Sequence, residues 1–180
     1  MSHSKFAQII LGAGLPYKGY QNTSLKKISS EMRVLDWTIQ TAKYLSPEVH
    51  FVAGYQKNEI ISSYPDLHIT YNHKWDSTGP VTSLLKTNII EDSECIVSYG
   101  DILFREKTIK KLINLESEIS IAVDSVWKKR YSSRTIDDLI SCEKVIISEN
   151  EMISAGSNID PDKANAEFIG LLTFKPNVMK

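Results

Sequence analysis

The chain has 180 residues, 42% of them hydrophobic and 24% charged, an ordinary globular composition with enough length for one full core. Twenty-one basic against 22 acidic side chains leave a formal net charge of -1, which excludes a broad nucleic-acid-binding surface. No apolar run approaches the roughly 20 residues of a membrane span, and the polar start from Met1 to Lys5 carries no secretory signal, so a cytoplasmic domain is expected.

Phe6 to Leu11 is a short apolar run that stops at Gly12-Ala13-Gly14, the pattern of a buried parallel strand. A loop rich in Gly, Lys, Ser and Asn reaches to about Ser30. Val34, Leu35, Ile39, Ala42 and Leu45 then fall near helical spacing, and Pro47 ends the helix. Val49 to Ala53 is a second strand that stops at Gly54-Tyr55. A short helix over 56–64 and a third strand from Asp66 to Tyr71 follow. Residues 79–90 read as one helix, with Pro80 in its first turn.

Cys95 to Tyr99 is another buried strand and ends at Gly100-Asp101. Ile109, Leu112, Ile113 and Leu115 among lysines make 106–115 an amphipathic helix. Ile119 to Val123 is a strand ending at Asp124. Residues 125–141 are polar and irregular, with Trp127 and Tyr131 embedded. Lys144 to Ser148 and Met152 to Ala155 flank Glu149-Asn150-Glu151 as an antiparallel hairpin, and Glu167 to Lys175 is a last strand. Alternation of strands and helices predicts an α/β fold. The expected architecture is a Rossmann-like, mostly parallel sheet with helices on both faces and a small antiparallel hairpin near the C-terminus, in a single domain over 1–180.

In an open parallel sheet, ligands bind beyond the carboxyl ends of the strands. That directs attention to the loop after Leu11, to Gly54-Tyr55, to Gly100-Asp101 and to Asp124. Gly12-Ala13-Gly14 followed by Lys18, Lys26 and Lys27 suits a phosphate cradle, because glycine lets backbone N–H groups approach closely. It equally suits a solvated loop, since neither a G-x-G-x-x-G nor a P-loop pattern is completed. Asp101 has the placement of a magnesium carboxylate, and also that of a turn aspartate; Asp124 repeats the arrangement one strand later. Trp127, Arg130, Tyr131, Arg134 and Glu143 mix rings and charges as a phosphorylated or cationic ligand requires, or as an amphipathic helix would. Cys95 and Cys142 make neither a disulfide framework nor a zinc motif. His3, His50, His68 and His73 lack metal-ligand spacing.

Taken in order, these features resemble the sugar-phosphate type of nucleotidyltransferase, and most of all the cytidylyltransferases of phosphocholine and phosphonate pathways, including those that accompany phosphoenolpyruvate mutase. The resemblance rests on Leu11-Gly12-Ala13-Gly14-Leu15-Pro16-Tyr17-Lys18 against L-A-A-G-x-G-x-R, and on Leu25-Lys26-Lys27-Ile28 against P-K-x-L. Leu35-Asp36-Trp37, Gly54-Tyr55, Asn72-His73-Lys74-Trp75, Ser83-Leu84-Leu85 and Tyr99-Gly100-Asp101 continue it. Val123-Asp124 with Trp127, Arg134 and Glu143, and Ile169-Gly170-Leu171-Leu172, complete it. Pro16 and Lys18 depart from the family's glycine and arginine, and a lysine lacks the arginine fork.

The resemblance implies Mg²⁺-dependent transfer of a nucleotidyl group, from CTP or another nucleoside triphosphate, to a small phospho- or phosphono-acceptor. Lys18, Lys26 and Asp101 would be catalytic, with Asp101 the metal ligand. Leu11, Gly12, Ala13, Gly14, Gly54, Tyr55, Ser83 and Gly100 would hold the nucleotide, and Asp124, Trp127, Arg134 and Glu143 the acceptor. Seven residues separate Trp127 from Arg134, so in a helix both would share one face. A homodimer is compatible with this reading. The family continues past its last strand to a segment with a second metal-binding aspartate, and the chain ends at Lys180 before one, so the expectation is a domain without that segment. The alternative is a non-catalytic nucleotide-binding domain that regulates or scaffolds a partner enzyme. A glycosyltransferase fits less well, because Tyr99-Gly100-Asp101 offers one carboxylate where D-x-D has two.

Overall fold

The computed structural model describes residues 6–16, 21–45, 48–91, 93–176 and 178. Its contacts define two compact units, residues 1–120 with 172–180, and residues 121–171. Among the described residues no helix is long and apolar enough to cross a membrane.

The first unit is built on four parallel strands, β1 (Ala7–Gly12), β2 (Val49–Ala53), β3 (His68–Tyr71) and β4 (Cys95–Tyr99), in the order β3-β2-β1-β4. Strands β1 to β3 step in one direction and β4 returns to the other side of β1, so the switch point lies between β1 and β4. The continuous apolar run of β1 follows from burial on both faces. Ile9 packs with Val52, Leu84, Cys95, Val97 and Phe174 on one side. Ile10 packs with Leu25, Leu35, Phe51 and Ile60 on the other.

Helix α1 (Val34–Ala42) buries Val34, Leu35, Thr38 and Ala42. Its start is fixed by Asp36, whose Oδ2 accepts the Arg33 N–H at 2.7 Å, a local bond that satisfies an otherwise orphaned donor. Helix α2 (Lys57–Ser63) buries Ile60. Helix α4 (Glu106–Ile113) buries Ile109 and Leu112. The helix expected over 79–90 is shorter: α3 covers Pro80–Leu84 and a separate 3-10 turn covers Asn88–Glu91. Thr87 explains the break. Its N–H and its hydroxyl both donate to the Leu84 carbonyl, at 3.0 and 2.8 Å, which closes the turn locally and takes the acceptor that the next helical N–H would need.

Strand β5 (Ile119–Asp124) leads into the second unit. There β6 (Lys144–Ser148) and β7 (Glu151–Gly156) form the expected hairpin. Its two-residue turn places Glu149 at φ 51° and Asn150 at φ 69°, the left-handed pair that a tight hairpin demands. Strand β8 (Ala166–Phe174) starts antiparallel to β6, with Lys144 opposite Glu167 and Val145 opposite Ala166. The side chain of Asn165 extends the ladder by taking the N–H and the carbonyl of Ile147, at 2.8 and 2.7 Å. The end of β8 belongs to the first unit, where Leu172 and Phe174 join the core.

The stretch expected to carry Trp127 and Arg134 on one helical face does not form one helix. A 3-10 turn spans Trp127–Tyr131, and α5 (Ile136–Ser141) starts only after Thr135, whose hydroxyl accepts the Asp138 N–H at 3.2 Å. That cap fixes a new helix start, so the seven-residue spacing carries no shared face.

Candidate active site

A cavity of about 210 Å³ opens at the carboxyl ends of β1 and β4, inside the first unit. Pockets that enclose a whole ligand run to roughly 300–1,000 Å³, so this one holds part of a ligand and leaves the rest at its mouth. Three walls meet here. One is the Leu11–Pro16 loop, one the segment Asn22, Thr23 and Ser24, and one the Tyr99-Gly100-Asp101 turn. Trp75, Thr78, Gly79, Pro80 and Ser83 close the remaining side. The site therefore sits at the switch point, where the order of strands requires it.

Backbone and buried polar groups hold these walls. Gly100 N–H donates to the Leu11 carbonyl, and Tyr55 N–H to the Ala13 carbonyl, both at 2.9 Å. The Gly100 backbone passes so close to the neighbouring loop that a Cβ there would stand 2.5 Å from Ser24 Oγ. Asn22 is 3% and Ser24 1% exposed. Asn22 Oδ1 accepts the Ser24 N–H at 3.0 Å, and its Nδ2 donates to the carbonyls of Gly12 and Tyr55 at 3.4 and 3.3 Å. Ser24 Oγ donates to the Gly100 carbonyl at 2.8 Å. On the opposite side the buried Asn72 donates to Thr78 Oγ1 and Ser83 Oγ, at 2.9 and 3.0 Å.

Of the residues expected to bind nucleotide, Leu11, Gly12, Ala13, Gly14, Ser83 and Gly100 line the cavity, and so does Asp101. Gly54 and Tyr55 are not among its lining residues. They brace the wall from behind: a Cβ on Gly54 would lie 2.5 Å from both the Ala13 carbonyl and Trp75 Cβ, and the Tyr55 ring meets Trp75 edge-on at 5.5 Å. Lys18 lies outside the described residues. Lys26 is exposed and absent from the lining. The segment buries Leu25 and turns Asn22, Thr23 and Ser24 toward the cavity. The Asn-Thr-Ser sequence was a legible N-cap pattern; Asn22 does cap a 3-10 turn over Thr23–Leu25.

Asp101 stands at the lip. The residue is exposed overall, yet desolvation by the surrounding protein raises its pKa, opposed in part by its own backbone hydrogen bond. Among the described residues no cationic side chain contributes to that shift. A partly dehydrated carboxylate without a positive partner suits a cation. Among the described residues no group of three or more His, Cys, Asp or Glu could hold a metal. The donor set thus fits an ion that takes one carboxylate and fills its other positions with water and phosphate, as magnesium does.

The residues expected to hold the acceptor lie in the second unit. Asp124 is engaged internally: Oδ1 accepts the Val126 N–H at 2.9 Å and Oδ2 pairs with Arg130 Nε at 2.8 Å. Arg130 also pairs with Glu167, which accepts the Tyr131 hydroxyl at 2.5 Å. Burial and then that carboxylate push the Tyr131 pKa upward. Trp127 is 1% exposed, so its ring is core and not a ligand wall, a correction with the same origin as the missing helix. Arg134 is exposed, with its guanidinium 5.1 Å from the Tyr131 ring centre. Glu143 is half-buried, and its carbonyl accepts the Phe168 N–H at 2.9 Å. Burial pushes the Cys95 thiol up to about 12 and raises that of Cys142, so neither suits a nucleophile.

No family model matches the chain. Over 155 residues it is 30% identical to the CTP:phosphoglutamine cytidylyltransferase of Campylobacter jejuni, a match covering 79% of this chain and 60% of that protein. The chain thus spans about three fifths of the length of this relative. The inositol-1-phosphate CTP transferase of T. maritima superposes with a TM-score of 0.69 at 17% identity, over 96% of this chain and 71% of that one. A putative glucose-1-phosphate thymidylyltransferase from Bacillus anthracis gives a TM-score of 0.71 at 16% identity, over 94% and 71%. A CMP:2-keto-3-deoxy-manno-octonic acid synthetase complexed with CTP gives 0.66 at 12%, over 97% and 76%. The chain has the nucleotidyltransferase fold and is a homologue of a cytidylyltransferase.

Proposed function

We propose that the chain transfers a cytidylyl group from CTP to a small phosphorylated or phosphonate acceptor. The observation that carries this reading is the meeting of the Gly12–Gly14 loop and the Gly100-Asp101 turn around one cavity; the likeness to a CTP:phosphoglutamine cytidylyltransferase supports it. An acceptor oxygen attacks the α-phosphorus of CTP in line. The bond from that phosphorus to the bridging oxygen breaks, and pyrophosphate leaves with the electron pair. No covalent bond to the protein is needed, so the residues act by positioning and by stabilising charge.

The backbone of Gly12 to Gly14 lies against the nucleotide, and among the described residues no atom comes within 4 Å of the place a Cβ on Gly14 would take, which leaves room for close approach. Trp75 offers an apolar surface beside it. Asp101 would hold Mg²⁺, which when bound would supply positive charge against the phosphate oxygens. Lys18 supplies further positive charge to the triphosphate. On this reading Arg134 and Glu143 recognise the acceptor, with Asp124 supporting them through Arg130. The 180 residues act as one functional domain, since β5 and β8 each contribute residues to both units without a linker. The supply of CTP places the reaction in the cytoplasm.

The test is a pyrophosphate-release assay. CTP, UTP, ATP and GTP are each incubated with Mg²⁺ and phosphoglutamine, phosphocholine, an aminoalkyl phosphonate or a hexose phosphate. Release with CTP and one acceptor is the expected result. CTP binding without release for any pair would favour a non-catalytic nucleotide-binding domain, and absence of any nucleotide binding would end both readings.

A further inference from the structure

We propose that the hydroxyl of Thr23 is a specificity-determining contact of the cavity and donates a hydrogen bond to a phosphate oxygen of the bound nucleotide. The inference rests on the nucleotide reading above and adds to it a residue, an atom and a part of the ligand.

Elimination among the lining side chains leads to Thr23. Asn22 spends its amide on Gly12, Tyr55 and Ser24, and Ser24 spends its hydroxyl on Gly100. Thr78 and Ser83 are tied to Asn72. Tyr99 has a partner of its own. Thr23, the Trp75 indole and Asp101 remain as lining side chains whose polar atoms have no side-chain or backbone partner elsewhere among the described residues. Thr23 is half-buried between two residues that are almost wholly buried. Its backbone is fixed on both sides before any ligand arrives, the preorganisation that makes one hydroxyl count.

A hydroxyl both donates and accepts, so chemistry alone does not choose its partner; the placement of Ser24 does. The residue that fixes Thr23 from one side bonds the carbonyl of Gly100, and Gly100 adjoins Asp101. The wall bearing Thr23 and the turn bearing Asp101 are therefore braced to each other by a buried bond. Asp101 serves the phosphates on the nucleotide reading, so Thr23 belongs to the phosphate end, while Trp75 is left for the apolar part of the ligand.

Calorimetric titration of the full chain with CTP and with cytidine tests this, using the wild type, Thr23→Val and Thr23→Ser, with melting temperature as the folding control. Valine keeps the shape and removes the hydroxyl, whereas serine keeps the hydroxyl. The expected result is CTP affinity about tenfold weaker in Thr23→Val, as for one hydrogen bond to a charged group, restored in Thr23→Ser, with cytidine affinity equal in all three. Unchanged CTP affinity in Thr23→Val overturns the contact. An equal loss for CTP and cytidine overturns the phosphate assignment. A wild type that binds no nucleotide overturns the nucleotide reading together with this inference, which distinguishes the two failures. If Thr23→Val melts early, Thr23→Ala replaces it in the same comparison.

Discussion

Buried at the first position of β6, Lys144 donates from Nζ to the main-chain carbonyl of Ile140 at 2.6 Å. The same amino group reaches the carbonyls of Cys142 and Leu139, at 3.1 and 3.3 Å. These are carbonyls at and just beyond the end of α5, which has no following turn to satisfy them. A lysine inside a strand thus serves as the C-terminal cap of the preceding helix. Lys144→Met would keep the apolar stem and strand the carbonyls of Leu139 and Ile140, while that of Cys142 keeps the Lys144 backbone N–H at 3.1 Å. The expected cost is about 2–4 kcal/mol, given about 1–3 kcal/mol for each unsatisfied buried group and partial rehydration. Urea denaturation measures it, and an unchanged midpoint would show that water replaces the amino group without penalty.

Asp101 should trade stability for function. Its folded pKa is raised by desolvation, so the fold prefers the protonated acid. The stability that follows is complete below the unfolded pKa, near 3.8, and is lost as pH rises through the raised folded value. At neutral pH the ionised carboxylate therefore works against folding, and Asp101→Asn should melt slightly higher than the wild type. The gap should close as pH falls toward that of the unfolded acid. Turnover should fall by at least about a hundredfold in the same variant, as when a group stabilising transition-state charge is removed. A variant that is less stable at neutral pH would mean that the carboxylate makes a structural bond.

Two glycines near the cavity should respond in opposite ways to alanine. At Gly54 a Cβ would stand 2.5 Å from the Ala13 carbonyl and from Trp75 Cβ, and β2 would have to shift. Overpacking of this kind costs about 1–3 kcal/mol. At Gly14 nothing among the described residues lies within 4 Å, so alanine should leave stability unchanged or raise it by up to about 1 kcal/mol through the unfolded chain. The methyl group would occupy ligand space, and CTP should bind more weakly. Paired thermal melts and CTP titrations separate the cases; Gly14→Ala with wild-type affinity would move the ligand off this loop.

Ser98, fully buried in β4, has a hydroxyl without a partner among the described residues. Burying an unpaired hydroxyl costs free energy that a methyl group does not. Ser98→Ala should be neutral or stabilising by up to about 1 kcal/mol. Chemical denaturation would contradict this if the variant lost more than that.

Strand positions were readable from the sequence because each run was short, mostly apolar and stopped at glycine. Ala7–Gly12, Val49–Ala53 and Cys95–Tyr99 lie where Gly12, Gly54 and Gly100 imply. The hairpin was legible for a related reason, because the polar stretch Glu149-Asn150-Glu151 separates two apolar runs, although its two left-handed residues were not marked by any glycine. Helix ends were harder. Thr87 closes its turn with a side chain, and hydrophobic periodicity does not report such bonds. Trp127 was misplaced because aromaticity marks a residue's chemistry but not its direction. The ring is committed to the core. The buried Lys144 was invisible for the opposite reason, since a polar residue at a strand end carries no periodic signal until its acceptors are known, and the N-cap pattern of Asn22 marks a turn without marking its burial.

The attachment of the Asn22–Ser24 wall has an evolutionary corollary. Every acceptor it uses from Gly12, Tyr55 and Gly100 is a main-chain carbonyl, but a Cβ on Gly12 would meet the Phe51 ring and one on Gly100 would meet Ser24 Oγ. Tyr55 can therefore drift without loosening the wall, whereas Asn22, Ser24 and the two glycines cannot. A homologous sequence that keeps an amide and a hydroxyl two residues apart, ahead of a buried leucine, together with glycine at the two strand ends, preserves this cavity even where the residue at Tyr55 has changed.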